Sequence, residues 1–434
     1  MANIIFTNTC NIKCPFCFAS ENNKLDANNF DFLKTLEIND FLKEKTFRFC
    51  GGEPTLHPDI TNMMDVVLSE QFYVFIMTNG IWPDTFANYI RNLPFQSFVK
   101  INYLFNVLEP SFYKGDQFKK INDHLEMLIP QQITLGVTLY KENFAFDYLL
   151  DLAKRYGIKK IRWSVAAPNV NDDLYTLEPK FGKVSKRLYK LYMSCVDQGI
   201  EIIGDCNYIQ PCFYNKNHLN DIFIQTKKPF TFSCSDSSPI DIDANGMAWR
   251  CYGLYSVLRK NIDDFKNEDE LEKYFTRRVR LLDSLYAYQE CQQCKYWHQG
   301  CNGGCYVFRI KKALKQNPSI VLFPVDDDTE ILKCRPYRSK DVFIEENENS
   351  TVLYSNNIHI PYPDKTTLSF LKEIDGVKTV ADLIALWQKD YASSENARES
   401  IIQKCRELFD QDMIQISYDY PVHPERRPCS NVRN

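Results

Sequence analysis

Residues 10–17 read CNIKCPFC and place three cysteines, Cys10, Cys14 and Cys17, directly after a short apolar stretch at residues 3–7. A structural zinc site normally takes four Cys or His ligands, and no fourth ligand lies nearby. A disulfide would use two of the thiols and leave one over. A cubane [4Fe–4S] cluster normally takes four thiolates. Three thiolates would therefore leave one iron open, which suits catalysis better than electron storage.

A second informative stretch is FRFCGGEPTLHP at residues 47–58. A β-rich run ends there in Gly51 and Gly52, followed by Glu53 and Pro54. Glycines at a strand end allow the backbone to approach a ligand closely. Cys50 immediately precedes them, and we expect a buried thiol at this position because free cysteine packs as a small hydrophobe.

The first half of the chain alternates between strands and amphipathic helical stretches. Candidate strands lie at residues 3–7, 46–50, 73–78, 97–103, 132–139 and 159–166. Strand, helix and strand in succession predict an α/β fold with a parallel sheet. Functional groups in such sheets gather at the carboxyl ends of the strands. Cys10, Gly51 and Asn79 all follow predicted strand ends, which places them at the same edge.

The spacing C-x3-C-x2-C, with Phe16 before the third cysteine, and the GGEP element together resemble the radical SAM superfamily. The resemblance implies a partial (β/α)6 barrel, with S-adenosylmethionine bound to the open iron of a [4Fe–4S] cluster held by Cys10, Cys14 and Cys17. It implies that Phe16 lies near the adenine, and that Gly51, Gly52 and Glu53, beside Pro54, bind the methionyl amino group.

Further contacts with S-adenosylmethionine are predicted at the ends of later strands. Thr78 and Asn79 close the third strand, although an Asn-Gly turn explains them equally well. Asn143 and Ser164 follow or lie within the fifth and sixth strands, where strand-end capping is the competing explanation.

Composition excludes several classes of function. The 434 residues carry 52 basic and 56 acidic side chains, for a net charge of −4, which gives no basic field for nucleic acid. The apolar runs are too short to span a bilayer. Sixteen cysteines without a secretory signal indicate metal ligands in a reducing compartment, so we expect a cytoplasmic location.

A second set of cysteines follows the predicted barrel. Its order is C-x11-G-x4-C, C-x2-C-x6-C-x3-C and a final C, and it resembles the SPASM extension, which carries two auxiliary [4Fe–4S] clusters. The resemblance assigns Cys291, Cys294, Cys301 and Cys334 to one auxiliary cluster. It assigns Cys234, Cys251 and Cys305 to the other. A zinc ribbon with spare cysteines is the alternative, but it would not explain the N-terminal triad.

The second auxiliary cluster lacks a fourth ligand. Cys212 is the preferred candidate and Cys206 the second, and an open iron is the third possibility. Cys195 and Cys405 fall on helical patterns and are expected to serve packing. His298 is expected to be a solvated loop residue, and Cys429 an exposed thiol.

The C-terminal part of the sequence predicts a small separate module. Residues 326–349 are acidic and polar and are predicted to form a linker or surface loop. A strand, three helices and a strand follow, and this pattern resembles PqqD-like winged-helix domains, which bind the leader of a precursor peptide. The net charge of this part is close to neutral, which disfavours a DNA duplex. A dimerisation element or a lid is the plainest alternative.

We therefore predict three domains: a radical SAM partial barrel at 1–200, an auxiliary-cluster domain at 201–340 and a recognition domain at 350–420. The predicted activity is modification of a ribosomally made precursor peptide by a 5′-deoxyadenosyl radical, most simply a thioether or carbon–carbon crosslink. The expected partners are the peptide and a reductase, flavodoxin or ferredoxin as electron donor, with neither nucleic acid nor membrane. Epimerisation, side-chain oxidation of the sulfatase-maturase kind and a non-catalytic Fe–S redox sensor are the alternatives.

Overall fold

The computed structural model describes residues 2–17, 32–42, 46–166, 170, 178–205, 209–226, 239–286, 288–292, 294, 296, 301–339, 342–347, 350–355, 358–361, 364–390 and 394–418. The described chain forms two compact units. The first contains the residues up to Glu268 and those between Gln293 and Lys311. The second contains Asp269–Gln292 and the described residues from Lys312 onward.

The first unit is built on a sheet of mostly parallel strands. The strands are β1 (Ala2–Thr7), β2 (Thr46–Gly51), β3 (Tyr73–Thr78), β4 (Ile101–Asn106), β5 (Ile133–Leu139), β6 (Lys160–Val165), β7 (Glu201–Gly204), β8 (Ile240–Asp243), β9 (Met247–Trp249) and β10 (Lys260–Asn261). Their order within the described residues is β10-β9-β8-β1-β2-β3-β4-β5-β6-β7. The strands from β8 through β1 to β7 are parallel, and β9 and β10 are antiparallel additions at one edge.

Helices fill most of the crossovers of this sheet. They are α1 (Phe32–Leu42), α2 (Ile60–Ser69), α3 (Asp84–Asn92), α4 (Phe95–Phe98), α5 (Gln117–Glu126), α6 (Asp147–Tyr156), α7 (Phe181–Asp197) and α8 (Lys216–Thr226). The parallel order and the helical crossovers confirm the predicted α/β class, which is consistent with a radical SAM partial barrel.

The fourth strand begins and ends later in the chain than predicted. Residues 97–103 were expected to form the fourth strand, whereas the strand runs from Ile101 to Asn106. Pro94 precedes the short helix Phe95–Phe98, whose final turn is closed by the N–H of Val99 bonding to the carbonyl of Phe95 at 3.0 Å. A proline before a first turn favours this local helix over an extended strand.

The strands follow from a two-residue alternation of apolar and polar side chains. In β6, Ile161, Trp163 and Val165 are buried, whereas Arg162 and Ser164 on the other face are only half-buried. In β1 and β2, Phe6 stacks on Phe49 with ring centroids 4.4 Å apart. The apolar face packs against helices and forms the core, and the opposite face carries polar groups.

The second unit contains the remaining elements. They are α9 (Glu268–Leu285), α10 (Gln289–Gln292), the end of α11 (Tyr306–Gln316), β11 (Arg335–Arg338), β12 (Phe343–Asn347), β13 (Ser350–Ser355), β14 (Ile358–Pro361), α12 (Lys365–Glu373), α13 (Val380–Asp390), α14 (Ser394–Asp410) and β15 (Ile414–Ser417). Strand β11 pairs with β15, and β12, β13 and β14 form an antiparallel sheet. The predicted strand–helix–helix–helix–strand order is present, but the expected linker at 326–349 contains β11 and β12.

A buried arginine forms two ion pairs within this unit. The side chain of Arg278 in α9 is 4% exposed and donates to Asp326 at 2.9 Å and to Asp410 in α14 at 2.8 Å. Arg278 therefore connects α9 with α14 and with the segment that follows α11. None of the helices in the described part of the chain has the length and apolar character needed to cross a membrane.

Candidate functional site

The three N-terminal cysteines lie in the loop that follows β1. Cys14 is half-buried, and Cys10 and Cys17 reach the surface. Desolvation raises the pKa of Cys14 to about 12, and the neighbouring thiols of Cys17 and Cys10 add to this rise. The three thiols are therefore close enough to interact, and their donor chemistry fits an iron–sulfur cluster. Among the described residues, no group of three or more Cys, His, Asp or Glu side chains has a geometry that could hold a metal ion.

Two glycines allow the end of β2 to touch this loop. A Cβ on Gly51, whose φ is +132°, would lie 2.1 Å from the carbonyl oxygen of Thr7. A Cβ on Gly52 would lie 2.3 Å from that of Thr9. The N–H of Gly52 donates to Thr7 at 2.7 Å, and the N–H of Glu53 donates to Thr9 at 2.8 Å. The GGEP element is thus fixed against the start of the cysteine loop.

Glu53 is a fully buried carboxylate whose two oxygens accept hydrogen bonds from protein groups. Thr55 donates from its hydroxyl at 2.7 Å, and Thr78 donates at 2.9 Å. The backbone N–H of Asn79 donates at 2.7 Å. Burial raises the pKa of Glu53, whereas these donors lower it. Glu53 therefore joins the ends of β2 and β3. It also caps the short helical turn Pro54–Leu56, which begins at Pro54.

Asn79 continues this link to the cysteine loop. Its side-chain amide donates to Asn11 at 2.8 Å and approaches the sulfur of Cys10 at 3.7 Å. Asn11 donates in turn to the carbonyl of Ile81 at 2.7 Å. The chain Glu53–Asn79–Cys10 thus runs from the GGEP element to a predicted cluster ligand. Asn11 was not singled out from the sequence, although it lies inside the cysteine motif.

The other predicted contacts lie at the ends of β5 and β6. Phe16 packs against Tyr140, just beyond β5, with ring centroids 4.9 Å apart. Ser164 lies 3.4 Å from Thr138 between their hydroxyl oxygens. Asn143 is exposed in the turn after β5. The structure therefore brings Phe16 to the carboxyl edge of β5.

The polar face of the sheet carries residues that sequence reasoning missed. Arg162 forms an ion pair with Asp205, which follows β7. Asp241 in β8 accepts a hydrogen bond from Asn3 in β1 at 2.8 Å. Burial raises the pKa of Asp241 to about 7, and nearby Asp205 contributes to the rise. The sequence signal that could have identified these residues is the polar side chains at alternate strand positions, as in KIRWSV and IDID.

Cys50 lies on the same face and is 4% exposed, as expected of a buried thiol. It packs with Ile5 and with Trp249, and Tyr252 borders this cluster. Burial raises the pKa of Cys50 well above its usual range. The thiol is therefore protonated at neutral pH.

Three segments that carry predicted ligands of one auxiliary cluster pack together in the first unit. Gly304, with φ +86°, leaves no room for a Cβ because the side chain of Gln210 occupies that space. This contact brings the segment of Cys212 to that of Cys305. Tyr306 hydrogen-bonds to the thiol of Cys251, which partly offsets the rise in its pKa that burial causes. Cys234 lies outside the described residues, as do Cys206, His298 and Cys429.

The other predicted auxiliary ligands occupy different settings. Cys291 and Cys301 are buried, and Cys294 is half-buried. Cys334 is fully buried, and its thiol approaches the carbonyl of Glu330 at 3.7 Å. Burial raises the pKa of Cys334, with a further contribution from Cys405. Cys405 is thus buried on its helix, as predicted, but it is also a neighbour of a predicted ligand.

Residues 4–103 match the Radical SAM superfamily. A 99-residue stretch is 33% identical to 7,8-dihydro-6-hydroxymethylpterin dimethyltransferase of Methanocaldococcus jannaschii, and covers 21% of this chain and 19% of that enzyme. The chain thus spans about a fifth of the length of this curated relative.

Two solved structures of Streptococcus suis SuiB share the fold. The complex with S-adenosylmethionine is 16% identical with a TM-score of 0.54, and covers 73% of this chain and 74% of that one. The complex with the precursor peptide SuiA is 16% identical with a TM-score of 0.53, and covers 73% of both chains. The segment at residues 4–103 contains most of β1, the three cysteines, the GGEP element and β3, so the motifs singled out from the sequence lie in the part of the chain that is similar to the Radical SAM superfamily.

Proposed function

We propose that this protein is a radical SAM enzyme that modifies a ribosomally made precursor peptide, most simply by an intramolecular thioether or carbon–carbon crosslink. The observation that carries the proposal is the hydrogen-bonded connection from the buried Glu53 through Asn79 to Cys10 at the surface. It fixes the GGEP element and the cysteine loop against one another, as a shared site for S-adenosylmethionine and a cluster requires.

A [4Fe–4S] cluster held in this loop would supply the electron for reductive cleavage of S-adenosylmethionine, which gives methionine and a 5′-deoxyadenosyl radical. The chain's own residues position and enclose the reactants. Cys10, Cys14 and Cys17 are the proposed thiolate ligands. Gly51 and Gly52 hold the GGEP element against the cysteine loop, and Phe16 with Tyr140 forms an aromatic wall at the end of β5.

A peptide substrate is favoured by two considerations. The fold is shared with a protein solved in complex with a precursor peptide. In residues 350–420, which we assign to a PqqD-like recognition module, the expected order of a strand, three helices and a strand corresponds to β13, α12, α13, α14 and β15. Residues 1–200 and 201–340 are the proposed barrel and auxiliary-cluster domains, the latter resembling a SPASM extension.

We assign two auxiliary [4Fe–4S] clusters to the downstream cysteines, and these clusters would supply an acceptor for the electron that remains after hydrogen abstraction. The contact of Gln210 with Gly304 favours Cys212 as the missing ligand over Cys206 or an open iron. A cytoplasmic location and a reductase, flavodoxin or ferredoxin donor belong to the same proposal.

The direct test is anaerobic reconstitution with iron and sulfide, followed by reductant and S-adenosylmethionine. We expect 5′-deoxyadenosine, detected by liquid chromatography. Its absence while the iron content is intact would exclude the enzyme and favour an Fe–S redox sensor. Mass spectrometry of a treated precursor then identifies the reaction, because crosslinking removes two hydrogens from the peptide.

Epimerisation is the second candidate, and the protonated thiol of Cys50 on the polar face favours it. Such a thiol can return a hydrogen atom to a carbon radical. In heavy water an epimerised residue gains one deuterium with no other change in mass. Cys50→Ala would stop this uptake while 5′-deoxyadenosine still forms. Formation of a crosslink by both proteins would exclude this role.

A further inference from the structure

Trp82 is a buried tryptophan whose indole N–H contacts the residues at the end of β3. It lies between β3 and α3 and is 1% exposed. Its Nε1–H donates to the hydroxyl oxygen of Thr78 at 2.8 Å. Thr78 in turn donates to the carboxylate of Glu53 at 2.9 Å. Trp82 therefore reaches Glu53 through one hydroxyl, although it lies outside the motifs singled out from the sequence.

The hydroxyl of Thr78 has a single orientation in this network. A hydroxyl group has one proton to donate and two lone pairs that accept. Trp82 occupies one lone pair, and the backbone N–H of Gly80 donates to the other at 2.9 Å. The one proton is therefore left for Glu53, whose carboxylate oxygens lie 2.9 and 3.0 Å from the hydroxyl oxygen. Since hydrogen bonds in series strengthen one another, the indole N–H strengthens the bond that Thr78 donates to Glu53.

Packing holds the indole ring of Trp82 in place. The ring stacks on His124 of α5, with centroids 4.7 Å apart and an interplanar angle of 16°. The Nδ1 atom of His124 also lies 2.9 Å from the carbonyl oxygen of Gly80, in the turn after β3. Phe105 of β4 packs on the indole at a centroid distance of 5.5 Å. The indole N–H is thus directed at Thr78 by a close-packed setting.

From Glu53 the connection continues to the cysteine loop. Glu53 accepts a hydrogen bond from the backbone N–H of Asn79 at 2.7 Å. The side-chain amide of Asn79 donates to Asn11 at 2.8 Å and lies 3.7 Å from the sulfur of Cys10. Its side-chain oxygen accepts from the N–H of Ile81 at 2.9 Å. The position of Asn79 is therefore set by Glu53 on one side and on the other by the turn that leads to Trp82.

We propose that Trp82 is a positioning residue for S-adenosylmethionine: its indole N–H orients the hydroxyl of Thr78 toward Glu53, and Glu53 then holds Asn79 next to Cys10 in the arrangement that binds S-adenosylmethionine. The inference rests on the proposed radical SAM function and adds a residue that acts only through Thr78. Loss of the indole N–H weakens binding of S-adenosylmethionine, whereas the thiolate ligands and their iron are retained.

The test measures binding of S-adenosylmethionine to the reconstituted full-length protein, from the change that it causes in the paramagnetic resonance of the reduced cluster. We expect Trp82→Phe to raise the dissociation constant about tenfold, which is the upper end of the contribution of one such hydrogen bond. The iron content should be unchanged, and for 5′-deoxyadenosine formation KM should rise more than kcat falls. Thr78→Val should also weaken binding, and adding Trp82→Phe to it should cause little further loss, because the indole acts through this hydroxyl.

Trp163→Phe is the matched control. Trp163 in β6 is also buried, and its Nε1–H donates to the hydroxyl of Tyr192 at 3.0 Å. Each substitution removes one indole N–H and part of a buried ring, so both should lower the urea midpoint of the metal-free protein to a similar extent. Trp163→Phe should nevertheless retain the wild-type affinity for S-adenosylmethionine.

A second replacement removes the N–H without changing the shape of the side chain. Benzothienylalanine at position 82 carries sulfur in place of the N–H, and it should weaken binding as Trp82→Phe does, even if Trp82→Phe fails to fold. Wild-type affinity in this protein, or an equal loss of affinity in Trp82→Phe and Trp163→Phe, would overturn this inference alone. A wild-type protein that holds its iron but forms no 5′-deoxyadenosine would overturn the proposed function and this inference with it, so the two failures are distinguishable.

Discussion

At the scale of single residues, the site depends on a buried carboxylate that serves the protein itself. Glu53 has no exposed surface, and it accepts hydrogen bonds from Thr55, Thr78 and Asn79. Hydrogen bonds to an ionised acceptor are about twice as strong as neutral ones. The motif in the sequence indicated that Glu53 matters, but the sequence could not show that its partners are protein donors.

We expect Glu53→Gln to lower the free energy of unfolding by about 1–3 kcal/mol, because an amide NH₂ would face the N–H and O–H donors that the carboxylate accepts. Urea unfolding of the metal-free protein measures this change. Glu70→Gln, at the exposed end of α2, is the control and should change it little. A variant as stable as the wild type would show that Glu53 does not connect β2 and β3 energetically.

Asp241 predicts a pH dependence of stability. Burial raises its pKa from 3.8 to about 7, so the folded protein holds a proton that the unfolded chain releases at lower pH. The folded state binds more protons between these values, and stability therefore falls as pH rises from about 4 to 7, by roughly 4 kcal/mol in all.

Asp241→Asn should flatten this fall, because an amide does not titrate and can still accept the hydrogen bond from Asn3. Urea unfolding at a series of pH values compares the two proteins. Asp84→Asn, at a side chain that is 85% exposed, should retain the wild-type slope. Equal slopes in Asp241→Asn and the wild type would contradict the assignment.

At the scale of elements, local patterns predicted β1, β2, β3, β5 and β6 because each has a run of apolar or β-branched residues with clear ends. The pairing of β8 with β1 was not predictable, since it joins residues more than 230 positions apart. The acidic segment 343–347 was expected to form a loop, yet it pairs with β13. Arg162 and Asp241 escaped notice because polar residues at alternate positions also describe a solvated strand face.

The junction of β2 with the cysteine loop carries a prediction of its own. Gly52→Ala would place a Cβ about 2.3 Å from the carbonyl oxygen of Thr9, so the strand end and the loop must separate. We expect the variant to lose about 1–3 kcal/mol of stability, as overpacked sites do. It should also lose iron from the first site selectively, measured by iron analysis and by electron paramagnetic resonance of the reduced protein. Gly182→Ala in α7, where a Cβ meets nothing within 4 Å, should retain both properties.

At the scale of the whole molecule, the cysteines form groups that lie on different segments of the fold. The N-terminal triad follows β1, whereas Cys212, Cys251 and Cys305 lie on segments that pack together later in the first unit. Cys334 lies in the second unit beside Cys405. If each group holds its own cluster, removal of one set of thiols should leave the others loaded.

We therefore expect about twelve irons per reconstituted chain, in three cubanes, and a loss of about one third in the triple variant Cys10→Ala, Cys14→Ala, Cys17→Ala. The lost cluster should be the one whose paramagnetic resonance changes when S-adenosylmethionine is added, because the three thiolates of the triad leave one iron open to it. Cys195→Ala, at a buried thiol on α7, should retain all of the iron. A triple variant that keeps its iron and its response to S-adenosylmethionine would move the radical source away from the N-terminal loop. Loss of all iron would instead show that the downstream sites cannot assemble until the first loop is in place.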